Sequence, residues 1–327
     1  MTASIINNLI MFLHSKKRLD IISIIALILV FLMSSGFGMQ PKQSTDDLVF
    51  SVKNVSFTMK YVEGGTFQMG ATPEQYIDRL SHYNVPADDE KPAHPVTLSS
   101  YYIGETEVTQ GLWKAVMGSN PSYFNTRGAN SPVECITWYD AVMFCNKLSE
   151  ATNRNPVYTI TDIQYGENEN KNSIVKATVT ADSSKNGFCL PTEAQWEYAA
   201  RGGNKSKGYK YSGSETLDWV AWYDGGWYGV GSTHLVSQKK ANELDIYDMT
   251  GNVCEWCYDL YKKDYYADCP LNNPQGPSSG GSRVFRGGSW QDFPSHCRVP
   301  YRGRNGPSYR YQSCGMRLAL PFPQSKI

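Results

Sequence analysis

Arg286-Gly287-Gly288-Ser289-Trp290-Gln291-Asp292-Phe293-Pro294-Ser295-His296-Cys297 is the stretch from which the rest of this chain can be read. Two consecutive glycines after an arginine permit a tight backbone turn that no Cβ would tolerate, so Arg-Gly-Gly reads as framework. Beyond it, Asp292 and Cys297 stand five positions apart, one a hard oxygen donor and the other a soft sulfur. Asp292 and His296 make a lone carboxylate–imidazole pair, which reads as a solvated surface pair rather than acid–base machinery. Further on, residues 291–313 read QDFPSHCRVPYRGRNGPSYRYQS, and Gly315-Met316-Arg317-Leu318 closes the segment with a second framework unit.

The segment between those units has the composition of a binding surface. Asp292, Phe293, His296, Arg298, Tyr301, Arg302, Arg304, Tyr309 and Tyr311 are the candidate ligand-binding residues. Rigid amphipathic aromatics alternate there with Ser, Gly and Asn, and aliphatics are almost missing. Tyr and Arg are also the residues that dominate interface energetics. The arginines at 298, 302, 304 and 310 imply an anionic or carboxylate-bearing partner, a protein or a glycan. The competing reading is an ordinary loop-rich surface decorated by Tyr and Arg.

Upstream, short aromatic and β-branched runs broken by Gly, Asn, Asp and Pro predict turn-rich β structure with few helices. Thr109 predicts an N-cap for a helix carrying Leu112, Trp113, Val116 and Met117 and ended by Gly118. Thr137 predicts a second, with Trp138, Ala141, Val142, Cys145 and Leu148 at spacings of three and four. Thr192-x-x-Gln195 is a capping box opening a third helix over 193–201, stopped by Gly202. A polar insert over 152–187 holds two β-like stretches, 156–161 and 174–180.

Lys+Arg and Asp+Glu both number 31, and that balance argues against nucleic acid, which would want a basic face. The first 38 residues differ from the rest. Lys16, Lys17 and Arg18 precede an apolar run over 21–33 and a small-residue end at Gly36-Phe37-Gly38. These are the parts of a secretory signal peptide, with a retained N-terminal anchor as the alternative. We therefore expect an exported chain, periplasmic, cell-surface or secreted, touching a membrane only through this segment. The eight cysteines begin at Cys135, which excludes a lipoprotein anchor at that cleavage point. Cys254-x-x-Cys257 has zinc or redox spacing, but no second pair completes a zinc set. No two histidines share metal-ligand spacing, and no phosphate loop or Gly-x-Ser-x-Gly elbow occurs.

Taken in order, the motifs are Val62-Glu63-Gly64-Gly65-Thr66-Phe67, Glu105-Thr106-Glu107-Val108-Thr109, Trp138-Tyr139-Asp140-Ala141, Leu190-Pro191-Thr192-Glu193-Ala194-Gln195-Trp196-Glu197-Tyr198, Tyr247-Asp248-Met249-Thr250-Gly251-Asn252-Val253-Cys254-Glu255-Trp256, Arg286-Gly287-Gly288-Ser289-Trp290 and Gly315-Met316-Arg317. This series resembles the formylglycine-generating enzyme-like, or sulfatase-modifying factor, superfamily over about residues 60–320. The resemblance implies an irregular α+β domain of C-type-lectin-like type with little regular secondary structure. We expect it over 58–321, after a linker at 39–57 and before a tail at 322–327.

In the family's oxidases, two cysteines hold copper beside a serine. Here Ser289, Asp292 and Cys297 match those positions, so the first thiolate is replaced by a carboxylate. Soft Cu(I) is not held by such a pair, and copper is not expected. Asn252 and Glu255 lie three apart in a Gly-containing turn, where oxygen ligands could converge on Ca²⁺. The alternative is that Asn252 takes a left-handed turn and Glu255 pairs with an arginine. The resemblance implies a structural calcium on Asn252, Val253 and Glu255, and a second loop at 242–246 with Asp245. It also implies that Cys257 lies against Cys297 as a disulfide partner. In retroelement-diversified variable proteins of this fold, variation is confined to the segment matching 291–313. Three functions follow: a non-catalytic binding protein, an oxidase with a rearranged site, or a structural subunit of a cell-envelope assembly.

Overall fold

The computed structural model of the chain describes residues 46–72, 87–167, 172–223 and 231–321. The expected signal peptide or anchor at 1–38 and the tail at 322–327 lie outside these residues. Asp46–Ile327 forms one compact unit. In chain order its elements are β1 (Leu48–Val52), β2 (Val55–Val62), β3 (Gly65–Met69), β4 (His94–Leu98), β5 (Tyr101–Gly104), α1 (Gln110–Met117), α2 (Trp138–Ala151), β6 (Tyr158–Tyr165), β7 (Ile174–Ala181), α3 (Glu193–Ala200), α4 (Leu217–Val220), β8 (Cys254–Leu260), β9 (Arg283–Arg286), β10 (Gly303–Asn305), β11 (Cys314–Met316) and β12 (Ala319–Pro321). This is the α+β domain that the motif order implies.

Two four-stranded sheets organise it, β1-β2-β5-β12 and β10-β9-β8-β11, with β3-β4 and β6-β7 as separate hairpins. The expectation of a linker over 39–57 fails from Leu48 onward. Lys53 and Asn54 take φ of 46° and 68°, and a two-residue turn of that kind matches the twist of paired strands. The turn sets Val52 opposite Val55, with Val52 and Met59 buried in one apolar cluster and Val62 in another. The alternation in LVFSV-KN-VSFTMKYV was therefore a hairpin signal.

The three predicted helices form where their caps predict. Thr109 accepts from Leu112 N–H, and Gly118 closes α1 in the left-handed region. Thr137 opens α2 through a capping box with Asp140, and Thr192 opens α3 through one with Gln195. The buried stripe of α2 packs Phe144 flat against Trp113 of α1, ring centroids 4.8 Å apart. α3 turns Trp196, Tyr198 and Ala199 into a second apolar cluster with Val96, Met249 and Cys257. That helix also aims Glu193 and Glu197 inward, and the surface segment is tied to those two carboxylates.

Candidate functional site

β9 ends on Arg286, a fully buried arginine. Its guanidinium donates to Glu193 at 2.7 Å, to Glu197 at 2.5 Å and to the Val299 carbonyl at 2.8 Å. Gly287 and Gly288 then turn the chain with φ of 98° and 69°. A Cβ on Gly288 would stand 2.9 Å from Cys297 Sγ, so the turn can be this tight only with glycine. The framework reading of Arg-Gly-Gly holds.

The turn delivers Ser289, Asp292, His296 and Cys297 to one place. Ser289 donates to Asp292 Oδ2 at 2.5 Å, and His296 Nδ1 lies 3.3 Å from Asp292 Oδ1. In this chain of contacts the carboxylate stands between hydroxyl and imidazole, so the serine faces an acceptor and no imidazole base. It lacks the order of a nucleophilic triad. Burial, and then the charge of Asp292, push the Cys297 thiol well above the usual range. One protonated buried thiol beside a hydrogen-bonded carboxylate does not fit Cu(I), which needs paired soft ligands.

The arginines of the segment divide into two kinds. Arg298 is 1% exposed and holds Glu90 through both terminal nitrogens, at 3.1 and 2.9 Å. Arg302 is 3% exposed and clamps Glu193 at 2.7 and 2.9 Å, donates to the Asp89 carbonyl, and lies over Tyr266. Both were candidate ligand-binding residues, and burial corrects that: they face the core as anchors. Burial alone would raise the Glu193 carboxyl, but Arg302 and Arg286 outweigh it and hold it low. Arg304 is exposed and donates to the Tyr261 hydroxyl at 2.5 Å, while Arg310 donates to the Cys135 carbonyl.

The aromatics stay at or near the surface. His296 stacks on Tyr301 at 4.6 Å, Phe293 meets His296 edge-on at 6.4 Å, and Tyr309 stacks on Tyr311 at 6.1 Å. Tyr311 is 42% exposed, and Phe293, Tyr301 and Tyr309 are half-buried.

The calcium residues are placed differently from their expectation. Asn252 is left-handed, φ 59°, and fully buried. Its Oδ1 accepts from His234 N–H, and its Nδ2 donates to Glu107 at 2.7 Å. Val253 N–H also goes to Glu107. Glu255 takes Arg317 at 2.7–3.0 Å and the Trp196 indole N–H at 2.6 Å. A cation on Glu255 would have to displace a guanidinium, so these residues do not fit calcium. The alternative of a left-handed turn and an arginine-paired glutamate is what forms. Asp245 sits exposed in another left-handed turn, while Asn242 Oδ1 accepts from Leu244 and Ile246 N–H. Among the described residues, no three His, Cys, Asp or Glu side chains stand together as metal ligands.

All eight cysteines are free. Cys257 packs with Trp196 and Val284, whereas Cys297 packs with Tyr211, Leu217 and Val220, so the expected Cys257–Cys297 bridge is not formed. Sequence reasoning also missed the partners that hold the segment, Glu90, Glu193 and Glu197. The last two lie inside a quoted motif, Leu190–Tyr198, yet nothing in one sequence pairs them with arginines far downstream.

Residues 48–321 match the model of the sulfatase-modifying factor enzyme 1-like domain. The chain belongs to this family. It is 39% identical over 266 residues to chaperone protein LppX of Paenibacillus barcinonensis, covering 76% of this chain and 84% of that one. It is 31% identical over 282 residues to the formylglycine-generating enzyme of Streptomyces coelicolor, covering 78% and 87%. Among solved structures, Treponema denticola variable protein 1 superposes with a TM-score of 0.70 at 37% identity, over 85% of this chain and 100% of that one. Within this family scaffold, the pair Asp292 and Cys297 distinguishes the present site from the two-cysteine pattern of the oxidases.

Proposed function

We propose that this chain is an exported, non-catalytic ligand-binding protein that presents residues 291–313 on a sulfatase-modifying-factor scaffold. One observation carries the reading. Arg298 and Arg302 pin the segment to the core through buried ion pairs with Glu90 and Glu193, while its aromatics remain outside in stacked pairs. A surface held that way loses little conformational entropy on binding. Export and membrane contact through the N-terminal segment belong to the proposal; no described helix is long and apolar enough to cross a membrane.

The chemistry of the partner changes once the arginines are placed. Two of the four that suggested an anion are consumed internally. Asp292, partly exposed, is met by the Ser289 hydroxyl and the His296 ring rather than by a lysine or arginine. A carboxylate flanked by aromatic rings suits a cationic group, a lysine or arginine side chain on a protein partner, or an amino sugar on a glycan. The names of two relatives, a chaperone and a variable protein, agree with uses of this scaffold other than oxidation.

Binding of the full chain to arrays of basic, acidic and neutral peptides and glycans tests this. Basic ligands are expected to bind, and Tyr301→Ala, Tyr309→Ala or Asp292→Asn should each weaken them about tenfold or more. Retention of acidic ligands alone, or indifference to all three changes, would defeat it. The oxidase reading is tested by incubating the copper-loaded chain with a Cys-x-Pro-x-Arg peptide. Conversion of the thiol to an aldehyde would replace our conclusion.

A further inference from the structure

Two other thiols are brought together by the fold. Cys254 opens β8 and Cys314 opens β11, and the strands run parallel with these two residues directly opposite. Neighbouring strands lie about 4.8 Å apart, inside the Cα separation that a disulfide spans. Both side chains enter one apolar cluster with Val133, Ile136 and Met316. They are 5% and 0% exposed, and Cys314 stands close enough to Cys254 to help push its thiol up. By contrast, Cys257 Sγ turns to the Glu255 carbonyl at 3.9 Å and Cys189 Sγ to the Ala319 carbonyl at 3.7 Å.

We propose that Cys254 and Cys314 form a disulfide when the chain folds in contact with a disulfide donor, oxidised glutathione or a thiol–disulfide oxidoreductase. One S–H bond breaks on each cysteine and the Sγ–Sγ bond forms. The two protons and two electrons pass to the donor, whose disulfide is reduced to two thiols. The closed loop, about 60 residues long, contains all of 291–313, so the bridge ties the framework strands at both ends of the presented segment. Tyr309 packs against the same cluster. Burial, and then the neighbouring Cys314, push the Cys254 thiol up and keep it protonated. Closure therefore belongs to folding, before the strands seal. The inference does not depend on any ligand being found.

The full chain is refolded from denaturant in a glutathione redox buffer, alkylated and digested with trypsin and chymotrypsin. Cleavage after Trp256 separates Cys254 from Cys257. The expected product links the Cys254 peptide to the Cys314 peptide, with Cys257 and Cys297 alkylated. The oxidised chain should melt roughly 5–10 °C above its reduced form. Cys254→Ala/Cys314→Ala should abolish that difference, and Cys257→Ala/Cys297→Ala should preserve it. Alkylation of both Cys254 and Cys314 in the refolded chain, or either one bridged elsewhere, overturns the proposal. If the double variant fails to fold, the peptide map of the unsubstituted chain decides alone.

Discussion

Arg302→Ala and Arg304→Ala lie two residues apart in one presented segment, and the structure assigns them opposite outcomes. Arg302 donates twice to Glu193 and once to the Asp89 carbonyl, with its side chain fully enclosed. Truncation leaves the Asp89 carbonyl without this donor and leaves Glu193 to Arg286 and Tyr266 alone. Breaking a buried pair from one side costs about 3–5 kcal/mol, a large share of the 5–15 kcal/mol or so that holds a domain. Arg304 is 55% exposed and lies 3.9 Å from Asp89, and such a pair contributes about 1 kcal/mol or less. Urea titration and thermal melts of the ligand-free chain read both. Arg302→Ala should lower the melting temperature by roughly 6–15 °C, and Arg304→Ala by about 3 °C or less. Glu193→Gln combined with Arg302→Ala should cost less than the two separately, because they remove one interaction. Equal effects of the two arginine changes, or an Arg302→Ala chain within about 1 kcal/mol of the parent, would refute the anchor assignment.

Three further outcomes follow from the same geometry. Burial, and then the charge of Glu193, raise the Asp259 carboxyl to about 7. Between about pH 4 and 7 the folded state keeps a proton that the unfolded chain has lost, so this group's contribution falls as pH rises, by roughly 4 kcal/mol across the window. Asp259→Asn keeps an acceptor for Glu193 N–H, now 2.8 Å away. It should flatten the pH dependence of stability relative to the parent, and an unchanged slope would mean that Asp259 is ionised in the fold. Gly303→Ala places a Cβ 2.0 Å from the Phe285 ring. It should cost about 1–3 kcal/mol in denaturant titration, and a neutral result would show that the ring moves aside freely. Excess calcium or a chelator should shift the melting temperature by about 1 °C or less, since ligands that bind only the native state raise it. A shift of many degrees would return Asn252 and Glu255 to metal binding.

The fold was legible because its signals are local. Thr109, Thr137 and Thr192 cap helices through side chains that reach three residues ahead, and that distance is written in the sequence. Motif order supplied the rest of the architecture. The hairpin of β1 and β2 was equally local, but its turn is Lys53-Asn54 rather than the Asn-Gly or Asp-Gly of common hairpins, so it was read as a linker. At the site, Asp292 and His296 were legible as a pair because they stand four apart. The partners of Arg298 and Arg302 were not, because Glu90 and Glu193 come from distant loops and helices.

Composition counts charges without directions, and this explains how an arginine-rich segment implied an anionic partner. Placement in the fold decides the matter: Arg302, just before β10, is buried against Glu193, whereas Arg304, within β10, is exposed. Once the inward arginines are assigned to carboxylates of the same chain, they contribute to fold stability and not to recognition. On the proposed binding reading, the groups left for recognition are those the core does not claim, namely Asp292, Arg304 and the stacked aromatics. On that reading, the inward arginines and the outward groups of one short segment have separate tasks. Replacing the outward groups should alter binding with little change in stability, and replacing the inward ones should do the reverse.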